Sequence, residues 1–176
     1  MRRRDYPVML THEPGGTPLG EALRRWLKGS RDLSSIAELS LFVAARSQLL
    51  QEVIRPALKH GVTVISDRYT ASTVAYQGYG RELGPGLIDQ LNQAATGGLQ
   101  PDLTVLLDLP AEAALRRKEN EAADTFEAAP PEFHQRVRKG YLAQAARTRH
   151  RWLVLDATEP KRELSMQIWT KVQPLL

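Results

Sequence analysis

The stretch VTVISDRYTASTVAYQ, Val62 to Gln77, decides how the rest of the chain reads. Val62, Val64 and Ile65 form a short apolar run of the kind that builds a buried strand. The run breaks at Ser66-Asp67-Arg68-Tyr69, where an acid, a base and a phenol arrive together. Ser72 to Gln77 then continues as a polar-flecked helix. In an open α/β sheet, ligands sit just beyond the carboxyl ends of the strands. Asp67 and Arg68 at that spot offer a carboxylate for a metal and a fork for a phosphate. Taken alone, the same two residues also make an ordinary surface ion pair at a strand end, so the surroundings have to decide.

Upstream, Tyr6 to Thr11 reads as a strand running into the turn-rich loop His12-Glu13-Pro14-Gly15-Gly16-Thr17-Pro18. Its two glycines fit either a plain turn or backbone brought close to a ligand. Pro18 suits a first helical position, and Leu19, Leu23, Trp26 and Leu27 follow at helical spacing. Ser35-Ile36-Ala37-Glu38 reads as a capping box that opens a helix to about His60, ended by Gly61 and kinked at Pro56. Leu39, Phe42, Val43, Arg46, Leu49, Leu50 and Val53 mark its inner face. Phe42 and Arg46 stand one turn apart, so a ring and a guanidinium share one side. An arginine among inward positions calls for a partner, because burying its charge alone is costly.

Downstream, Tyr79 to Gly84 reads as a flexible connection, and Pro85 starts a helix with Leu87, Ile88, Leu91 and Ala95 inward. Thr104 to Leu109 (TVLLDL) is a strand apolar on both faces, as parallel strands tend to be. A helix opened by Pro110 runs through Leu115 to Arg116-Arg117-Lys118. The Ala-, Glu- and Pro-rich segment Glu119 to Glu132 shows the least pattern. Phe133, Val137, Tyr141, Leu142 and Ala145 give an amphipathic helix, Trp152 to Leu155 the last strand, Asp156 to Pro160 its exit loop, and Leu164, Ile168 and Val172 a final helix. Strands alternating with helices predict an α/β fold with a mostly parallel sheet in one domain of 176 residues.

The chain has no cysteine, which excludes disulfides and thiolate metal sites and suits a reducing compartment. No apolar run approaches membrane-spanning length, and the charged start Met1-Arg2-Arg3-Arg4-Asp5 lacks the apolar core of a secretory signal. The expected setting is the cytoplasm, with no membrane partner. The formal net charge of +4 suits phosphorylated ligands or nucleic acid. The basic clusters are scattered, however, without the interleaved aromatics of single-strand binders, which argues against nucleic acid.

Several motifs together resemble one family. HEPGGTPLGEALR resembles the TREPGGTPLGE motif of bacterial thymidylate kinases, LFVAARSQL their Phe-x-x-x-Arg helix, and SDRYTASTVAYQGYGR their Asp-Arg-Tyr/His signature. PDLTVLLDL, FHQRVRKGYL and LDATEP are similar to later landmarks in the same order. The resemblance implies a P-loop nucleoside monophosphate kinase fold and transfer of the ATP γ-phosphoryl to dTMP with Mg²⁺. It implies that Phe42 stacks on thymine and that Arg46 hydrogen-bonds its O4. Arg68 would grip the dTMP phosphate, and Asp67 would serve Mg²⁺ or its waters. Ser72, Thr73, Tyr76 and Gln77 would shape the thymidine pocket, with Leu27 and Pro14 as its other wall. Glu13 belongs to the loop over the phosphates. Arg116 and Arg117, with Ala157 and Thr158 near adenine, would face ATP. It also implies a homodimer formed through helices such as Glu38–His60. Phosphoryl transfer needs positioning and charge neutralisation more than covalent chemistry, which suits such a set.

The sequence departs from the family pattern in two places. It holds no G-x-x-x-x-G-K-[ST] phosphate loop. The resemblance places that loop and the family's central first strand ahead of Met1-Arg2-Arg3-Arg4, so an internal start and a longer natural product are expected, with a gap in the sheet of this chain. In the lid, expected over residues 119–132, Thr125 of Asp124-Thr125-Phe126-Glu127 stands at the family's arginine position, and His12 stands where an arginine is usual. Two readings follow: a thymidylate kinase, or a thymidine-nucleotide-binding or dimerisation module with impaired catalysis. A deoxynucleoside kinase is the nearest competitor within the enzymes. Arg46 and Arg68 favour a monophosphate acceptor.

Overall fold

The computed structural model describes residues 6–29, 33–110, 113 and 129–176. Arg116, Arg117, Thr125 and most of the expected lid lie outside the described residues. Strands β1 (Val8–Thr11) and β2 (Thr63–Ser66) pair in parallel, and so do β3 (Thr104–Asp108) and β4 (Trp152–Asp156). The expected α/β class and parallel pairing are therefore present. Among the described residues the strands form two separate two-stranded sheets. Their apolar residues are not buried on both faces. Leu10 and Ile65, opposite one another in register, are 60% and 43% exposed, and Leu107 is 52% exposed.

The long helix after Ser34 shows how sequence sets a helix's path. Its cap is Ser34, whose side-chain oxygen accepts the Ala37 N–H at 3.2 Å, one residue earlier than the capping-box reading. Glu38 consequently does not close a box; it turns inward and is buried. Helix α2 (Ser35–Leu49) passes through a π-helical turn, Leu50–Ile54, into α3 (Arg55–Lys59). Pro56 has no N–H to give, and its ring crowds the carbonyl four residues back. The expected kink takes the form of a wide turn, in which Arg55 N–H bonds the Leu50 carbonyl five residues back. Gly61, at φ 70, ends the run. Leu49, Leu50 and Ile54 form a buried cluster against which Val64 of β2 and Tyr69 pack.

Helix α1 (Pro18–Gly29) packs against α2 and buries Leu27. Helix α4 (Thr70–Thr73) continues as a second π-helical segment, Val74–Gly80. Tyr79 and Gly80 are thus helical, not part of the flexible connection expected there. The Arg81 N–H bonds Tyr76 O at 2.8 Å and the Leu83 N–H bonds Gln77 O at 3.1 Å, so the exit is tied down. Helix α5 (Pro85–Thr96) stops at Gly97 in the left-handed region. It buries Ile88 with Asn92 and Thr96, while Leu87, expected inward, is 38% exposed.

Helix α6 (Pro131–Arg147) ties the two sheets together. Arg138 forks onto both carboxylate oxygens of Asp108, at the end of β3, at 2.7 and 2.8 Å. Tyr141 and Gln144 bond Ser72 and the Ala71 carbonyl of α4. Phe133 and Val137 bury themselves against Ala75, with Tyr76 and Tyr141 alongside. Helix α7 (Lys161–Val172) returns beside β4 and buries Leu164. No helix among the described residues is long and apolar enough to cross a membrane.

Candidate active site

The carboxyl ends of β1 and β2 deliver the loops that carry Glu13 and Asp67, and the Glu13 N–H bonds Asp67 Oδ1 at 2.9 Å. Between them Gly16, at φ 72, sits where a Cβ would lie 2.6 Å from a Leu49 methyl, so the loop folds tightly onto α2 only with glycine there. His12 and the Gly16 N–H both bond Glu21 Oε1, at 2.7 and 3.0 Å. These bonds, the backbone one first, hold the Glu21 carboxyl below its usual range.

Arg46 is 1% exposed and does have the partner its inward position demanded. Its Nε donates to Glu13 Oε2 at 2.7 Å, and Nη1 donates to Thr73 Oγ1 and Asn92 Oδ1, both at 2.9 Å. The guanidinium also lies 5.5 Å from the centre of the Tyr69 ring. Burial pushes the Glu13 carboxyl above its usual range against the pull of Arg46, and nearby Asp67 adds to the rise. Glu13 Oε1 is buried and accepts no hydrogen bond among the described residues.

Arg68 sits in a second group. Its Nη1 donates to the Tyr141 hydroxyl oxygen at 2.9 Å, and its guanidinium lies 5.3 Å from the centre of the Tyr76 ring. Tyr141 in turn donates to Ser72 Oγ at 2.8 Å. Tyr76 stands edge-on to both Tyr141 and Phe133. Gln77, 2% exposed, donates to Glu38 Oε1 at 2.8 Å, and Arg81 donates to Glu38 Oε2 at 2.9 Å.

The structure thus joins Glu13, Asp67, Arg46 and Thr73 in one network from the ends of β1 and β2, joins Arg68, Ser72 and Tyr76 around Tyr141 in a second, and ties Gln77 to Glu38 in a third. Phe42 is half-buried on α2, and the Pro14 carbonyl accepts from Arg24 at 3.0 Å beside α1. Ala157 and Thr158 stand at the end of the other sheet. There the Ala157 N–H bonds Asp108 O at 2.8 Å, and Asp156 Oδ1 accepts the Thr158 N–H and hydroxyl at 2.8 and 2.7 Å. Asn92, Glu38, Arg81 and Tyr141 were not expected at the site. The one available signal was a polar Asn92 four residues after Ile88, next to the apolar Leu91 and Ala95.

A hard cation such as Mg²⁺ keeps several waters and takes one or two carboxylates plus phosphates. Asp67 fits that demand: its carboxylate is exposed at a strand end and oriented through Oδ1. No cluster of three ligating acids or histidines occurs among the described residues, so an all-protein cage is not what these side chains build.

Parallel strand pairs with arginines, a carboxylate and aromatic rings beyond the strand ends define an α/β protein of the kind that binds anionic ligands there. The thymidylate kinase family model matches residues 1–168. The thymidylate kinase of Thermomicrobium roseum is 44% identical over all of this chain and 85% of its own length. That of Dehalococcoides mccartyi strain 195 is 49% identical over all of this chain and 86% of its own. The crystal structure of the Ehrlichia chaffeensis enzyme superposes with a TM-score of 0.78 at 32% identity, covering 95% of this chain and 81% of that one. This chain belongs to the thymidylate kinase family.

Proposed function

We propose that the protein transfers the γ-phosphoryl of ATP to dTMP, giving dTDP and ADP, and that its own described residues build the acceptor half of that reaction. The observation that carries this is the pairing of Arg68, held on Tyr141 and Tyr76, with a buried Arg46 fixed on Glu13. One arginine serves the acceptor phosphate at a strand end; the other serves the base, beside Phe42, Thr73 and Gln77. Ser72 and Tyr76 complete the pocket, with Leu27 and Pro14 on its far side. Asp67 would hold Mg²⁺ or its waters. When bound, the ion neutralises charge on the phosphoryl oxygens. The residues themselves hold the acceptor oxygen in line for attack, and such positioning supplies much of the catalysis in phosphoryl transfer. Ala157 and Thr158, with Arg116 and Arg117, serve ATP in this reading, and the protein works as a cytoplasmic homodimer.

A second reading is a thymidine-nucleotide-binding module with impaired catalysis, favoured by the lack of a phosphate-loop motif among the 176 residues. Titrating the full chain with dTMP and with ATP and Mg²⁺, and assaying dTDP, separates the two. Binding of both with turnover supports the kinase, and binding of dTMP alone supports the module.

A further inference from the structure

We propose that Tyr141 is a positioning residue for Arg68, fixing the guanidinium that faces the acceptor phosphate. The inference rests on the reading of Arg68 given above. Arg68 lies exposed at the end of β2, on a long side chain whose rotamer freedom would be lost on gripping an anion. Tyr141, contributed by α6 from 73 residues further along the chain, limits that freedom beforehand. Its O–H is committed to Ser72 Oγ at 2.8 Å, which turns the oxygen's lone pairs toward Arg68 Nη1 at 2.9 Å. Burial pushes the phenol above its ordinary range, so it remains a neutral donor and acceptor at neutral pH. With the Tyr76 ring against the guanidinium at 5.3 Å, Arg68 is held on two sides. A guanidinium carries five N–H donors, so one anchor leaves several for phosphate oxygens.

Tyr141→Phe removes the anchor and keeps the ring, whose edge-on contact with Tyr76 at 6.4 Å needs no hydroxyl. The full chain, wild type, Tyr141→Phe, Ser72→Ala and Arg68→Ala, is titrated calorimetrically with dTMP and with thymidine. Tyr141→Phe is expected to weaken dTMP about 3- to 10-fold, the loss of one hydrogen bond, while leaving thymidine affinity unchanged. Ser72→Ala loosens the phenol without touching its ring and serves if Tyr141→Phe folds poorly. Because Ser72 also belongs to the proposed thymidine pocket, it is read as the ratio of dTMP to thymidine affinity, which is expected to fall. A ratio of dTMP to thymidine affinity equal to wild type in both variants overturns the positioning role. Undiminished dTMP binding by Arg68→Ala, or none by wild type, instead overturns the reading of Arg68 on which it rests.

Discussion

Glu13 and Arg46 put opposite charges where almost no water reaches, at 3% and 1% side-chain exposure. Such a pair adds little net stability, yet removing one member strands the other. Glu13→Gln should therefore cost about 3–5 kcal/mol, read as a lower denaturant midpoint; an unchanged midpoint would contradict the burial argument. Tyr69 gives a pH signature. Burial, helped by the Glu13 charge, pushes its phenol from 10.0 up to about 12. A group raised in the folded state contributes stability that is full below its unfolded value and lost as pH rises through the folded one. Stability should thus fall between about pH 10 and 12, and Tyr69→Phe should flatten that slope in alkaline unfolding curves. The need of Arg46 for a partner was legible, because it sits on an apolar helix face. Which partner it takes was not, because Glu13 lies 33 residues away in a loop and meets it only through the strand pairing.

Helices and strands were legible where periodicity is strong, as in α2 and β3. Their ends were not, because caps depend on one side-chain oxygen: Ser34, not Ser35, took the cap and released Glu38 to Gln77 and Arg81. The two π-helical segments escaped the pattern because a wider turn leaves apolar spacing almost intact over five to seven residues. The second one lets Gly80 meet α6, where a Cβ would lie 2.6 Å from the Phe133 ring. Gly80→Ala should accordingly cost about 1–3 kcal/mol by overpacking, measurable by thermal and denaturant unfolding. A stability equal to wild type would show that α6 can shift away.

Across the molecule, family likeness was legible because several motifs keep their order along the whole chain, which one motif alone would not establish. The use of α6 as the tie between the two sheets was not legible. Its Arg138 and Tyr141 reach partners 30 and 69 residues away that only the fold brings near. That tie holds Arg68 through Tyr141 just past the end of β2, where the proposed chemistry takes place. The most direct test of dTMP kinase activity is to add dTMP, then ATP with Mg²⁺, to the full chain while following heat and dTDP together. The expected result is saturable dTMP binding, weakened about 10- to 100-fold in Arg68→Ala as charge-assisted phosphate bonds are lost, with dTDP formed once ATP and Mg²⁺ are present. Binding of dTMP without dTDP would leave only the module, and equal affinity for thymidine and dTMP would contradict a site built around an acceptor phosphate.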